Sequence, residues 1–164
     1  MSTFLWGIVV LALAAVAAGW WTWGRGDGAV ANPLPDFATL RLADTPNQYL
    51  VLPAGFDAEA TPQAASPVFD VPVQRLEQVA LEIIRSRPRT VEVAADTARR
   101  AYAFVQRTPV MRFPDTVTIR FVDQGGGSSS IAVYSRSKFG KSDFGANRER
   151  VERWLAAIQA RLAP

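Results

Sequence analysis

SRSKFGKSDFGANRERVERW, Ser135 to Trp154, is the stretch on which the reading of the fold turns. Upstream of it, Ile131, Val133 and Ser135 alternate with Ala132, Tyr134 and Arg136, the period of a strand on a half-buried sheet. Gly140 breaks the alternation as a turn does. Ser142 or Asp143 then offers a short side-chain oxygen to the free N–H groups of a first helical turn. Val151, Leu155, Ile158 and Leu162 follow at helical spacing with Trp154 beside them, one face of an amphipathic helix. The stretch thus reads strand, glycine turn, cap, helix, with a helix expected over Asp143–Leu162. It is also densely charged: Arg136, Lys138, Lys141, Arg148, Arg150 and Arg153 meet only Asp143, Glu149 and Glu152.

These residues resemble the hallmark of the domain of unknown function 1499 family. The resemblance rests on Ser135-Arg136, Gly140, Asp143, Gly145, Asn147-Arg148 and Arg150, with Phe121-Val-Asp-Gln124 and Pro46-Asn47 upstream. It covers roughly residues 44–162. Many members carry Cys after the Pro-Asn pair, where this chain has Gln48, so a role tied to that thiol is absent here. The resemblance implies a fold and a structural motif of Gly140, Asp143, Gly145 and Arg150, but no established reaction.

Composition narrows the chemistry. The 164 residues contain no Cys and no His, which excludes disulfides, thiol nucleophiles, Ser-His-Asp triads and His-bearing zinc sites. No cofactor or metal is expected. Charge is uneven: residues 25–96 carry 6 basic and 10 acidic side chains, a net of −4, and residues 97–164 carry 12 and 5, a net of +7, together the formal +3. A basic C-terminal half suits an anionic partner such as a lipid surface or a phosphate, or is simply a solvated face laced with ion pairs. The basic residues lack interleaved aromatics, so no nucleic-acid partner is expected.

Phe4 to Trp23 contains no charged residue and ends in Trp20, Trp21 and Trp23. About twenty helical residues span the ~30 Å of a bilayer core, and Trp favours the interface. Residues 1–24 are therefore expected to anchor the chain as a single-pass membrane protein through residues 4–23. Cleavage of a signal peptide near Ala15 and Ala17 is the competing reading, weakened by the absence of Lys or Arg before the apolar run. A short N-terminus before a long domain fits export of that domain, whereas Arg25 alone would favour the cytoplasm. Residues 25–43 read as a linker and residues 44–164 as the soluble domain.

Within it, prolines from Pro46 to Pro72 predict an irregular arm with at most an edge strand at Tyr49–Leu52. Val73, Leu76, Val79, Ala80, Ile83 and Ile84 predict a helix over 73–87, capped by Asp70 and stopped by Pro88. Three strands follow, at Thr90–Ala94, Arg100–Arg107 (where Ala content makes helix the competitor) and Thr116–Val122. A loose Gly125-Gly126-Gly127 loop leads into the strand ending near Arg136. The expected fold is α+β, a four-stranded antiparallel sheet flanked in sequence by two helices packed on one face.

Three functions compete. A membrane-tethered binding module would hold an anionic small molecule or lipid on Arg136, Lys141, Asn147 and Arg148, aided by the N-terminal end of the last helix. The same residues could instead be a structural lock at the strand-to-helix turn. A structural partner in a membrane assembly would use the arm around Phe56 and Phe69, although no protein partner is identified. An enzyme would draw on Asp115, Asp123 and Asp143, with Ser135 and Ser137, and has the thinnest basis.

Overall fold

The computed structural model describes residues 34–163. The expected span at residues 4–23 lies outside the described residues, and among those described no helix is long and apolar enough to cross a membrane.

Alternation and helical stripes produce the elements where the sequence places them. In chain order these are β1 (Gln48–Leu52), β2 (Ala64–Ala65), α1 (Val73–Arg85), β3 (Thr90–Asp96), β4 (Ala101–Arg107), β5 (Pro114–Gly125), β6 (Ser128–Ser137) and α2 (Ala146–Leu162). The stretch around residues 100–107 is a strand, not a helix: Tyr102 and Phe104 need a sheet face to bury rings two residues apart. The glycine segment is no loose loop. Gly126 and Gly127, at φ 62° and 82°, link β5 to β6 directly, and Asp123 Oδ1 accepts from Gly125 N at 2.8 Å. Two consecutive positive φ angles are what a tight primed turn requires.

The sheet has six strands rather than four, in the order β2-β1-β6-β5-β4-β3, and it is mixed. β3 to β6 form the expected antiparallel meander, but β1 pairs antiparallel with β6 and parallel with β2. Pro46 and Pro53 bracket β1 instead of breaking it, leaving five residues free to pair. All five are buried, because β1 is covered on both faces. Leu50 and Leu52 join Phe37, Leu40, Ala132 and Tyr134 in one cluster, while Tyr49 and Val51 join the larger core. Phe37 and Leu40, inside the stretch expected to be linker, are thus part of the folded unit. Gln48 pins this layer. Its Nε2 donates to Ala43 O at 2.5 Å and Thr45 O at 2.9 Å, and its Oε1 accepts from Tyr134 Oη at 2.7 Å.

Both helices contribute to the larger core. Leu76, Ala80 and Ile84 of α1 and Val151, Trp154 and Ile158 of α2 meet Phe104, Val117, Ile119, Phe121, Ile131 and Val133. Trp154 packs edge-on against Phe104, with ring centroids 6.4 Å apart. Asp70 does not cap α1. Pro72 occupies that position, and its carbonyl accepts from Arg75 N and Leu76 N. At the far side of this core Glu77 accepts from Tyr102 Oη at 2.5 Å and pairs with Arg100. Burial pushes the Tyr102 hydroxyl up to about 12, with the Glu77 hydrogen bond adding to the effect.

Ile158 has no exposed surface. Ile158→Ala should therefore cost about 2–5 kcal/mol, through lost burial and the cavity left between α2 and the sheet. Denaturant unfolding of the two proteins measures it, and a loss below about 1 kcal/mol would mean that α2 does not seal the core.

Candidate functional site

Cross-strand register collects polar side chains at one end of the helix-facing side of the sheet. Gln106 pairs with Asp115 and Asp115 with Ser137, so the three form one row across β4, β5 and β6. Ser135 lies two residues along β6 on the same face, opposite Tyr49 of β1. Beyond this polar row every inward position is apolar, from Val117 to Phe121 and from Val133 to Ile131.

The buried face of α2 has the matching pattern. Asn147, Arg150, Val151, Trp154, Leu155 and Ile158 are its buried residues, at spacings of three, one, three, one and three. They form a single stripe, polar in its first turn and apolar after it. When the apolar part docks on the core, Asn147 and Arg150 are carried onto the polar row.

Arg150 is 5% exposed and forms an ion pair with Asp115, which is 2% exposed. Its Nε donates to Gln106 Oε1 at 2.7 Å, and its Nη1 donates to Ser135 Oγ at 2.9 Å and Asn147 Oδ1 at 2.6 Å. Ser135 Oγ donates in turn to Asn147 Oδ1 at 2.7 Å. Asn147 Nδ2 donates to Asn47 O and Ser137 Oγ, both at 3.0 Å, and to Asp143 Oδ2 at 2.6 Å. Asn47 Nδ2 extends the network outward, donating to Gly140 O at 2.7 Å. A buried cation is tolerated only when paired and hydrogen-bonded, and here Nε, Nη1 and Nη2 all have acceptors.

Asp143 closes the helix end by a route the sequence half suggests. The residue at the cap itself is Gly145, at φ 84°, so α2 begins at Ala146 and not at Asp143. Asp143 reaches forward from two positions earlier. Its Oδ2 accepts from Asn147 N at 2.8 Å, its Oδ1 from Gly145 N at 3.2 Å, and its carbonyl from Ala146 N at 3.0 Å. These bonds use the N–H groups an anion at the helix N-terminus would need.

The four residues expected to hold an anion are not brought together. Asn147 is fully buried, and its amide is committed to protein partners. Arg136 alternates with Ser135, so it projects from the opposite face of the sheet, near Tyr134. Burial raises the Tyr134 hydroxyl above its ordinary range, and Arg136 opposes that shift. Arg148 is exposed on α2, lies over the Tyr49 ring at 5.5 Å and pairs with Glu152 at 3.2 Å. Lys141 is exposed in the loop before α2. Of the motif residues, Arg150 is the centre of the site, while Gly140 and Gly145 supply φ 86° and 84° at the loop. Asp115 and Gln106 are the partners that sequence reasoning did not link to Arg150. The available signal was parity, since Asp115 shares its face with Val117, Ile119 and Phe121.

Two grooves lie elsewhere. One of about 370 Å3 runs beside Phe69, Asp70, Gln159 and Leu162, and one of about 520 Å3 lies between Glu82, Ser86, Ala157 and Arg161. Among the described residues no group of three His, Cys, Asp or Glu side chains is placed to hold a metal ion.

A family model described as "Protein of unknown function (DUF1499)" matches residues 40–158, which contain the whole Arg150 network. No curated protein matches the sequence. Among solved structures, the di-domain ARO/CYC BexL from the BE-7585A biosynthetic pathway aligns at a TM-score of 0.44 and 13% identity. That alignment covers 58% of this chain and 44% of the other.

The geometry separates two residues, Asn147 and Arg148, that are neighbours in sequence. Asn147→Ala would leave the Asn47 carbonyl with Ser137 N alone and take a partner each from Ser135, Ser137 and Arg150 inside the fold, and should cost on the order of 3 kcal/mol. Arg148→Ala should leave the melting midpoint nearly unmoved, because an exposed pair contributes little. Thermal melts of both variants check this, and the reverse order would contradict the assignment.

Proposed function

The chain belongs to the DUF1499 family, and we propose that it works as a membrane-tethered binding module for anionic groups, whether lipid headgroups or small anions. The observation that carries this reading is how the basic residues of 135–154 divide. Arg150 is consumed inside the fold, and Arg148 and Arg153 pair with Glu152 and Glu149 on α2. Lys138 and Lys141 remain exposed in the 138–145 loop, with no carboxylate within ion-pair distance among the described residues. Two cations without a carboxylate partner, Lys138 resting only over the Phe139 ring at 5.7 Å, sit on a loop that Asn47 and Asp143 fix and favour an external anion. The uncharged run from Phe4 to Trp23 supports the tether.

The competing functions draw less support. Phe69 is buried and Phe56 packs edge-on against Phe37 at 6.4 Å, so neither offers the arm a free apolar patch for a membrane assembly. Asp115, Asp123 and Asp143 are each engaged by their own fold, through Arg150, Gly125 N and the start of α2.

The full chain in phosphatidylcholine nanodiscs tests the proposal. Inorganic phosphate, or phosphatidylglycerol built into the disc, should raise the melting midpoint. A ligand at a hundred times its Kd adds about 2.7 kcal/mol. Lys138→Glu with Lys141→Glu should abolish the rise. A midpoint that neither anion moves would overturn the reading.

A further inference from the structure

We propose that the loops 108–113 and 138–145 together form an apolar-tipped, cation-ringed projection that inserts into the headgroup region of an anionic bilayer. The proposal shares Lys138 and Lys141 with the function above. It adds an apolar contact that a site for a soluble anion has no use for.

The two loops leave the same end of the sheet, after β4 and after β6, and they touch. Lys138 N donates to Pro114 O at 3.4 Å, and the Phe113 and Phe139 rings lie 6.0 Å apart. Large apolar side chains that stay exposed concentrate here. Phe144 is 99% exposed and Val110 84%, the two highest values among the described large apolar residues, and Met111 and Phe139 are also exposed. Single exposed apolar residues are ordinary, but a cluster on adjoining loops marks a contact surface.

The projection is held in shape rather than left to collapse. Thr108 N donates to Phe113 O and Phe113 N to Thr108 Oγ1, both at 3.0 Å, closing the first loop. Asn47 Nδ2 grips the second at Gly140 O. Phe144 sits at φ 52° between Ser142 Oγ, which accepts its N–H, and the Asp143 carboxylate, which accepts the next one. Non-glycine residues adopt that left-handed conformation only at a cost, and here the chain accepts it while turning a phenyl ring outward.

Charge selects the partner. Arg112, Lys138 and Lys141 carry the loops' positive charge, and Asp143, their one acidic residue, is turned inward to the start of α2. Basic side chains around protruding Phe, Met and Val are complementary to an anionic headgroup layer over acyl chains. A protein partner would be matched better by a concave or flat apolar face, whereas these tips are convex and spread over two loops.

The absence of native Cys allows a direct test on the full chain. Val110→Cys carries a bimane label, and Gln78→Cys on the exposed side of α1 is the control. In vesicles of phosphatidylcholine and phosphatidylglycerol with brominated acyl chains, the label at 110 should be quenched several-fold more than at 78. Brominated phosphatidylcholine alone should quench the two sites alike. Met111→Ser with Phe144→Ser should remove the difference without lowering the melting midpoint. Equal quenching at both sites in the anionic vesicles overturns the proposal, as does equal preference for neutral lipid. So does shielding of residue 110 by a co-purifying protein instead of lipid. If phosphatidylglycerol raises the midpoint through Lys138 and Lys141 while residue 110 stays in water, insertion fails and the binding function stands.

Discussion

The ion pair between Arg150 and Asp115 is the constraint on which the rest of the molecule depends. Taking both charges out of water costs several kcal/mol per ion, and Coulomb attraction alone does not guarantee repayment. Here the repayment is spread over Gln106, Ser135 and Asn147, which accept the remaining guanidinium hydrogens. Such a network contributes less to net stability than a well-packed apolar replacement, but it is unforgiving of displacement. A one-residue slip of β6 would turn Ser135 and Ser137 to the other face and take an acceptor each from Arg150 and Asn147 inside the fold. The pair thus fixes the register of three strands against one turn of α2, where apolar packing alone would tolerate sliding.

The loop before α2 inherits its shape from that lock. Asn147 passes the constraint to Asp143 and to Asn47, and Asn47 passes it to Gly140. Lys138, Lys141 and Phe144 are then displayed from a segment anchored at several points. A structural duty for the buried residues and an external duty for the exposed ones coexist in one stretch because its strand and helix alternate what they bury. The arrangement separates stability from recognition residue by residue, so surface substitutions in this loop can change binding without loosening the core.

Much of this was legible before the structure. The meander from Thr90 to Arg136 and both helices follow from period-two and period-3.6 patterns, and the motif from Ser135 to Arg150 pointed to the strand-to-helix turn. What escaped did so for physical reasons. The strand expected at Tyr49–Leu52 is present as β1, but as an inner strand and not an edge: it is buried on both faces, so Gln48–Leu52 has no alternation to count, and the flanking prolines mimic a break. β2, two alanines, carries no pattern at all. Arg136 and Arg148 looked like partners because they are close in sequence to one turn, yet alternation on β6 separates Arg136 from the helix side. The residues that do meet Arg150 are distant in the chain, Asp115 by 35 positions and Gln106 by 44, and only sheet register brings them together.

The central claim is that Arg150 and Asp115 act as one unit. A double-mutant cycle on the full chain, with Arg150→Met, Asp115→Leu and both together, measures it by denaturant unfolding. Each single change should cost about 3–5 kcal/mol by leaving the other charge buried and alone. The double variant should recover most of that loss, giving a coupling of roughly 2 kcal/mol or more. Single losses that simply add in the double variant, or that each stay within about 0.5 kcal/mol, would contradict the account.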